Sequence, residues 1–316
     1  MPRTALRTLI AGATLTLAAT LAACGGGGGS SSILPGGGGG ATPTPTATPT
    51  PPPPTAQAAG RVTDAETNGN PGVAGATVKI GTSFDATGTI TGVVATATTA
   101  ADGSYSVPVP LTTSLPISNG ISQNASDPPA GTSNAFFAQV DAGGFVSAHK
   151  IMYLHTGATS VPTYAIAHPG LNDAAALARV NSDRASLGSG TGKNPVALDS
   201  DATLMARFAT MTEGAQGFFN HNYPNTTNNV AKSYQCTAAL SFCAHYYNSS
   251  ENESLGGDVL TQEDGYIAEG PTGGHYQAVM NPKNVWVGFA QYLGASPAGS
   301  SSPQSMYGAQ EYITTP

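Results

Sequence analysis

Charged residues are scarce in this chain of 316 residues: only 9% are Asp, Glu, Lys or Arg, against roughly 25% in a typical globular protein. Basic residues are the scarcer kind, with 11 Lys and Arg against 18 Asp and Glu, which leaves a formal net charge of −7. A nucleic-acid-binding protein needs a basic patch, so this balance argues against nucleic acid as a partner. The chain also lacks a long apolar run after its N-terminus, and we therefore expect no transmembrane helix there.

Cysteine is rare as well, with three residues in the whole chain. Cys24 lies at a processing site, which leaves Cys236 and Cys243 close together in one loop. Because the N-terminus looks like an export signal, we expect these two cysteines to form a disulfide in an oxidising compartment. Two free thiols are the alternative, and a lone pair of thiols is too small to make a metal site by itself.

The first 24 residues have the pattern of a signal peptide. Arg3 and Arg7 give a positive start, and residues 9–19 give a short apolar core. The ending Leu-Ala-Ala-Cys, which closes at Cys24, resembles the bacterial lipobox, in which the cysteine thiol accepts diacylglycerol. The resemblance implies a lipid anchor at Cys24, in the outer membrane if the cell is Gram-negative; an ordinary cleaved signal peptide is the alternative.

Residues 25–57 are predicted to be a disordered linker. A run of Gly and Ser gives flexible coil, and the sequence TPTPTATPTPPPPT gives a stiffer polyproline II spacer. Neither part can bury a core, so we expect the linker to hold the folded domains away from the membrane.

Residues 58–168 are predicted to be an antiparallel β-sandwich. Stretches that alternate apolar and small polar residues are separated by turn pairs such as Asn68-Gly69 and Asp102-Gly103. The segment resembles the carboxypeptidase regulatory-like domain, which is transthyretin-like, and the matching residues are 60–64, 75–78, 101–105 and 141–145. Such domains usually act as spacers. His149 and His155 are isolated here, and we expect them to be structural or exposed.

After residue 171 the apolar pattern changes to a helical period. Asn172 and Asp173 are predicted to cap one helix, and Asp199 to cap a second, in which a stripe of apolar residues should face the core. The residues of that stripe are Leu204, Phe208 and Met211. Strands follow at 284–292 and 306–313, so the sequence predicts an α+β layered domain.

A series of short motifs runs through residues 171–316 in a fixed order: Asn-x-x-Arg, Phe-Phe-Asn-His, Tyr-x-x-Glu, Gly-His-Tyr, Met-Asn-Pro and Val-Gly, then a closing strand. They occupy Asn181 and Arg184, then 218–221, 266–269, 274–276, 280–282, 287–288 and 307–312. This order resembles the bacterial branch of the CAP superfamily, the cysteine-rich secretory, antigen 5 and pathogenesis-related proteins. In the Tyr-x-x-Glu motif, Tyr266 stands in place of the usual Trp. The resemblance implies an α-β-α sandwich, and the whole chain is then multidomain.

The same resemblance implies a cleft that carries two histidines and two glutamates. His221, Glu269 and His275 match three of these positions, and together with Glu253 they are the candidate catalytic residues. The fourth position is open, because the family has Glu-Asn followed by an apolar residue, and both Glu251 and Glu253 fit that pattern in part. We favour Glu253 with Glu251 as the alternative; on a strand the two share a face, because side chains alternate with period two.

The chemistry of this set favours a divalent metal. Neutral imidazoles are good ligands for zinc and related metals, so His221 and His275 are the predicted metal ligands and zinc the expected ion. Two histidines leave coordination positions open for water or a ligand, while the glutamates can orient the rings or act as general bases. A buried polar network that only stiffens the cleft is the alternative.

Three functions remain open on the sequence. The favoured one is a lipid-anchored protein of the cell envelope whose CAP domain binds a lipid, polysaccharide or host ligand outside the cytoplasm. The second is a metal-dependent hydrolase of peptides or envelope polymers, so that catalysis itself stays an open question. The third is a structural or adhesive surface protein. In each case we expect a monomer.

Overall fold

The structure is a computed structural model, which describes residues 54–111, 134–154, 156–160, 163–188, 193–221 and 248–314. All of these belong to one compact unit, Pro51–Pro316. Several predictions lie outside the described residues, namely the signal peptide with Cys24, the linker up to residue 53, His155, and the disulfide between Cys236 and Cys243. In the described part, no helix has both the length and the apolar character needed to cross a bilayer.

The first half of this unit is built from eight strands. Their bounds are β1 Thr55–Asp64, β2 Thr77–Phe84, β3 Ile90–Thr98, β4 Ser104–Pro110, β5 Asn134–Asp141, β6 Ala148–Leu154, β7 Gly157–Ser160 and β8 Tyr164–Ile166. One sheet has the order β4-β1-β7, with β8 also paired to β1, and the other has the order β3-β2-β5-β6. The two sheets share one apolar core, to which Val62, Ile80, Val109 and Phe136 contribute fully buried side chains. This arrangement is compatible with the predicted β-sandwich.

Two details differ from the sequence prediction. Strand β1 begins at Thr55, inside the predicted linker, because residues 55–57 pair with the end of β4. In addition, β7 and β8 run parallel to β1, so the sandwich is mixed at this position instead of purely antiparallel. His149 of β6 is buried, which agrees with its predicted structural role.

The second half alternates helices and strands. Its elements are α1 Asp173–Leu187, β9 Ala197–Leu198, α2 Ser200–Gln216, β10 Asn248–Leu255, α3 Val259–Ala268, α4 Gly274–Val279, β11 Asn284–Ala295 and β12 Gln304–Thr314. The strands form one sheet in the order β10-β12-β11-β9. Helix α2 begins where predicted, because the Asp199 carboxylate accepts the backbone N–H groups of Asp201 and Ala202.

Helices cover both faces of this sheet. Side chains of β11 alternate, so that Val287 and Phe289 pack with Val180 of α1 and Tyr266 of α3, whereas residues of opposite parity pack on α2. Three layers result, with α2 on one face and α1 and α3 on the other, as an α-β-α sandwich requires.

The buried face of α2 is not the predicted one. Leu204 is buried, but Phe208 is only partly buried and Met211 is 54% exposed. The face that contacts the sheet consists of Ala202, Met205, Ala206 and Ala209. Small side chains are needed there because the helix lies almost against the strand backbone: a Cβ on Gly288 would lie 2.0 Å from the backbone N of Thr203.

The two halves are joined by a polar and aromatic seam. Trp286 of β11 stacks on His149, with ring centroids 4.8 Å apart, and contacts Phe84 at 5.3 Å. The Asp199 carboxylate accepts both the backbone N–H and the ring Nδ1 of His149, each at 2.9 Å. Because these groups are buried, the two halves pack as one body.

Candidate functional site

Four elements bring the predicted site residues to one end of the sheet. His221 lies a few residues after helix α2, which is capped by Gly217 in the left-handed backbone conformation. Glu251 lies in β10, Glu269 is the C-cap of α3, and His275 lies in the first turn of α4. The ring centroids of the two histidines are 6.5 Å apart. The described structure therefore brings together all the candidate residues that the sequence singled out for this cleft.

The first pair is His221 with the glutamates of β10. Nδ1 of His221 lies 2.8 Å from Oε1 of Glu251 and 3.1 Å from Oε2 of Glu253. The hydrogen bond to Glu251 raises the pKa of His221. Burial by itself would raise the pKa of Glu251, but its hydrogen bonds to His221 and Glu311 leave that pKa below its usual range. The pair therefore favours an imidazolium beside a carboxylate.

The choice between Glu251 and Glu253 has a geometric answer. Both side chains point to the same face of the sheet, as strand alternation predicts, and both are 1% exposed. Glu251 makes the hydrogen bond to His221, while Glu253 lies beside it. Burial, together with the charges of Glu251 and Glu213, raises the pKa of Glu253 to about 10. Glu251 is thus the partner of His221, and Glu253 is an additional carboxyl group.

The second pair is Glu269 with His275, on the open side of the cleft. Oε1 of Glu269 lies 2.5 Å from the ring Nδ1 of His275, and Oε2 accepts the backbone N–H of His275 at 3.1 Å. The hydrogen bond from the ring lowers the pKa of Glu269. Gly273 is required here, because a Cβ at that position would lie 2.3 Å from the Cβ of Glu269. An ionised carboxylate therefore orients an imidazole that is about one-third exposed, which is the arrangement of a general base.

The other motif residues support the cleft from behind. Arg184 is fully buried and donates to the backbone carbonyls of Asn194, Val279 and Asn281. Asn252, on the opposite face of β10 from Glu251, donates to the carbonyl of His275 at 3.2 Å. These side chains hold α4, and with it His275, against the sheet.

Two further carboxyl groups at this site were missed by the sequence interpretation. Glu311 of β12 lies directly opposite Glu251, and Glu213 of α2 is in side-chain contact with Glu253. Both are fully buried, and burial raises the pKa of Glu213 to about 7 and that of Glu311 well above its usual range. The helical period of α2 could have placed Glu213 on the buried face, because it follows Ala206 and Ala209 at spacings of seven and four. Nothing local to residues 307–314 indicated that Glu311 would face Glu251.

The chemistry of this cluster fits a divalent cation. In the described residues, one group of ligand atoms lies within 4.8 Å of one another, and its members are His221, Glu251 and Glu253. Both carboxyl oxygens of Glu253 are buried, and a buried carboxyl group is costly unless a proton, the neighbouring His221 ring or a metal ion satisfies it. His275 is not a member of this group, so the predicted pairing of two histidines as ligands stays a prediction.

A cavity of about 630 Å³ opens beside these residues. Phe219, Leu255 and Tyr266 line it with apolar surface, and Glu269 and His275 lie on its polar side. The volume falls within the range of ~300–1,000 Å³ that is usual for small-molecule sites. The arrangement can therefore accept a molecule that is partly apolar and present a polar group of that molecule to the imidazole.

Comparison with known proteins identifies the second half of the chain. Residues 177–298 match the family model of CAP, the cysteine-rich secretory protein family. No curated protein sequence matches the chain. Among solved structures, an outer surface protein from Borrelia burgdorferi is similar at 12% identity over 44% of this chain and 90% of that one, with a TM-score of 0.32.

A second solved structure, 3-chlorocatechol 1,2-dioxygenase from Rhodococcus opacus, is similar at 11% identity over 37% of this chain and 61% of that one, with a TM-score of 0.24. The matched range of the family model includes the cleft residues described above. Residues 177–298 of this chain are therefore similar to the CAP family, the cysteine-rich secretory proteins.

Proposed function

We propose that this protein is a lipid-anchored envelope protein whose CAP domain binds an amphipathic ligand, an acyl lipid being the class that fits best. The observation that carries the proposal is the cavity that joins an apolar wall to the Glu269 and His275 pair. An acyl chain would pack on Phe219 and Leu255, which are 41% and 39% exposed without it. Its polar group would then lie at the imidazole of His275. A purely polar glycan would leave this apolar wall exposed to water.

A divalent metal fits the same cleft. His221 with Glu251 and Glu253 would hold it, and a bound metal would supply positive charge for an anionic head group. His275, the second predicted metal ligand, would then contact the bound lipid. The expected ion is zinc, because imidazole and carboxylate oxygens are both common zinc ligands.

The proposed anchor is the lipid on Cys24, which would place the folded domains outside the cytoplasm. Incorporation of labelled palmitate by cells that express the protein, and its loss in Cys24→Ser, would support it. Equal labelling of the two proteins would remove the anchor from the account and leave the cleft proposal intact.

Native mass spectrometry of the purified protein tests the lipid. We expect one acyl lipid per chain, and we expect Leu255→Asp to lose it because a carboxylate would enter the apolar wall. Leu293→Asp is the matched control, because Leu293 is 55% exposed outside this cavity and its substitution should leave the lipid bound. Absence of lipid from the native protein, or equal amounts in both variants, would reject the proposal.

A hydrolase is the second candidate, and one observation favours it. His275 is oriented by an ionised glutamate and stays one-third exposed in the open cleft, as a general base must be. Substrate profiling against peptides and envelope polymers, with His275→Ala and His221→Ala beside the native protein, tests this function. Turnover that survives both substitutions would remove the cleft from the mechanism.

A purely adhesive role would leave both the lipid and the hydrolase assays negative.

A further inference from the structure

The seam between the sandwich and the second half contains a lysine and an aspartate that are both buried. Lys150 belongs to β6 and Asp201 to the first turn of α2, so the two residues come from opposite halves. Nζ of Lys150 lies 3.7 Å from Oδ2 of Asp201, and the two side chains are 3% and 0% exposed. The amine also lies over the ring of Tyr164, 5.1 Å from the ring centroid. An ammonium and a carboxylate removed from water to this extent carry a high desolvation cost.

The start of α2 is fixed against the sandwich, and this sets the position of Asp201. The Ser200 hydroxyl donates to the carbonyl of Val146 at 2.6 Å and accepts the N–H of Ala167 at 2.9 Å. The backbone N–H of Ser200 donates to the carbonyl of Ser147 at 2.8 Å. Because both partners lie on elements that are held together in this way, the lysine and the aspartate stay within reach of each other. Fixed proximity of two reactive groups favours a reaction between them.

Burial shifts this pair towards its neutral form. Burial lowers the pKa of the Lys150 ammonium, and the nearby charges of Asp201 and Asp199 oppose that shift. When the ammonium proton moves to the carboxylate, the pair becomes a free amine, which is a nucleophile, beside a carboxylic acid. In water the ionisation of both groups holds back their condensation. In a dry site the neutral pair can condense to an amide, which carries no charge and so avoids the cost of two buried ions.

We propose that Lys150 and Asp201 are joined by an intramolecular isopeptide bond, which links the sandwich covalently to the second half. Nζ attacks Cγ of Asp201, the carbon that carries the contacting oxygen, and a C–N bond forms. The C–O bond to the carboxyl hydroxyl breaks, and this hydroxyl leaves as water together with one proton from the amine. The reaction needs no oxidant, metal or other reactant, and it does not depend on what the cleft binds.

A second lysine–aspartate pair, within the sandwich, supplies the matched control. Nζ of Lys79 lies 2.9 Å from Oδ2 of Asp141, which is closer than the buried pair, but these side chains are 33% and 31% exposed. Water therefore solvates both charges of this pair and stabilises them against condensation. Because exclusion of water decides the outcome, we expect the bond at the buried pair and none between Lys79 and Asp141.

Mass spectrometry of the full chain tests the bond. Lys150→Arg should be heavier than the native protein by the difference between the two side chains plus one water, because arginine cannot form the amide. Lys79→Arg should be heavier by the side-chain difference alone. A tryptic digest of the native protein should contain residues 194–207 joined through Asp201 to a peptide in which cleavage after Lys150 is missed.

The digest also distinguishes this bond from another route to a lost water. A succinimide at Asp102-Gly103 or Asp264-Gly265 would lighten the chain equally, but it would leave Lys150 open to trypsin and would persist in Lys150→Arg. Separate peptides that end at Lys150 and contain unmodified Asp201 would overturn the proposal, because the pair would then be an ordinary ion pair. A water missing from Lys150→Arg as well, with no linked peptide, would do the same. The linked peptide is detected in the native protein, so this result does not depend on how well the variant folds.

Discussion

Arg184 and Asn252 show that a motif residue can support a site without lining it. Each donates to backbone carbonyls next to or within α4, and each is buried. The Asn-x-x-Arg and Glu-Asn motifs therefore include scaffold residues, while the candidate site residues of the cleft are His221, Glu251, Glu269 and His275. Substitutions of two buried side chains, Arg184 and Glu263, test the structure at the residue scale.

The first concerns the buried guanidinium. Arg184→Met should lower the free energy of unfolding by about 3 kcal/mol or more, because three carbonyls lose a charged donor and each such bond contributes roughly 1.5–3 kcal/mol. Urea denaturation measures the loss. Arg179→Met is the control, because Arg179 pairs with Asp183 and Asp264 at the surface and such pairs contribute only about 0–1 kcal/mol. Equal losses in the two variants would contradict the role assigned to Arg184.

The second concerns pH. Burial raises the pKa of Glu263 from 4.5 to about 7, so the folded protein holds this proton more tightly than the unfolded chain does. The resulting stability is complete below pH 4.5 and is lost as the pH rises to 7, by on the order of 2–3 kcal/mol. Glu263→Gln should remove this slope.

Urea denaturation between about pH 4.5 and 8 compares the native protein with Glu263→Gln. Burial also raises the pKa values of Glu213, Glu253 and Glu311, which gives slopes of the same sign, so the prediction concerns the difference between the two proteins. Asp264→Asn serves as the control, because its side chain is 59% exposed. Native and Glu263→Gln curves that run parallel over this range would show that Glu263 is not the protonated acid described here.

Helix α2 and strand β11 show which features of a single element local sequence patterns predict and which they do not. The cap at Asp199, the end near Gly217 and the strand bounds followed from local patterns in the sequence. The buried face of α2 did not, because large residues at helical spacing suggested Leu204, Phe208 and Met211, whereas the helix packs through alanines. The reason is non-local: glycines in β11 let the backbones approach, and no pattern within α2 indicates this.

A substitution in β11 tests that close approach. Gly288→Ala would put a Cβ 2.0 Å from the backbone N of Thr203, and the helix would have to move away from the sheet. Overpacking of this kind costs about 1–3 kcal/mol. Gly143→Ala is the matched control, because a Cβ there meets nothing within 4 Å. Thermal unfolding of both variants should show a clear loss for the first and almost none for the second; similar melting temperatures would contradict the packing.

The whole molecule depends on contacts that no single motif encodes. The order of family motifs predicted a CAP domain and the convergence of His221, Glu269 and His275, and strand alternation placed Glu251 and Glu253 on one face. The sequence interpretation treated the sandwich as a spacer, because contacts between distant segments such as His149 and Asp199 leave no local pattern. For the same reason Glu213 and Glu311 were missed: their meeting depends on the register between β10 and β12 and on how α2 lies across it.

The seam between the two halves makes a prediction at this scale. The described residues should unfold in one cooperative transition, because Trp286 is 6% exposed and stacks on His149 of the sandwich. Trp286→Ala should cost about 3–5 kcal/mol, as removal of a buried aromatic side chain does, and should split the transition in two. Differential scanning calorimetry measures both effects. Two transitions in the native protein would contradict the account of a single body.

Anomalous diffraction at the zinc edge, on crystals of the protein grown with Zn²⁺, tests the metal-capable cleft most directly. The account predicts one peak about 2.0–2.2 Å from a ring nitrogen of His221 and from carboxyl oxygens of Glu251 and Glu253, with the imidazole of His275 facing it across the cleft. A map with no peak at His221, or coordinates that place the two imidazoles on different faces of the domain, would contradict it.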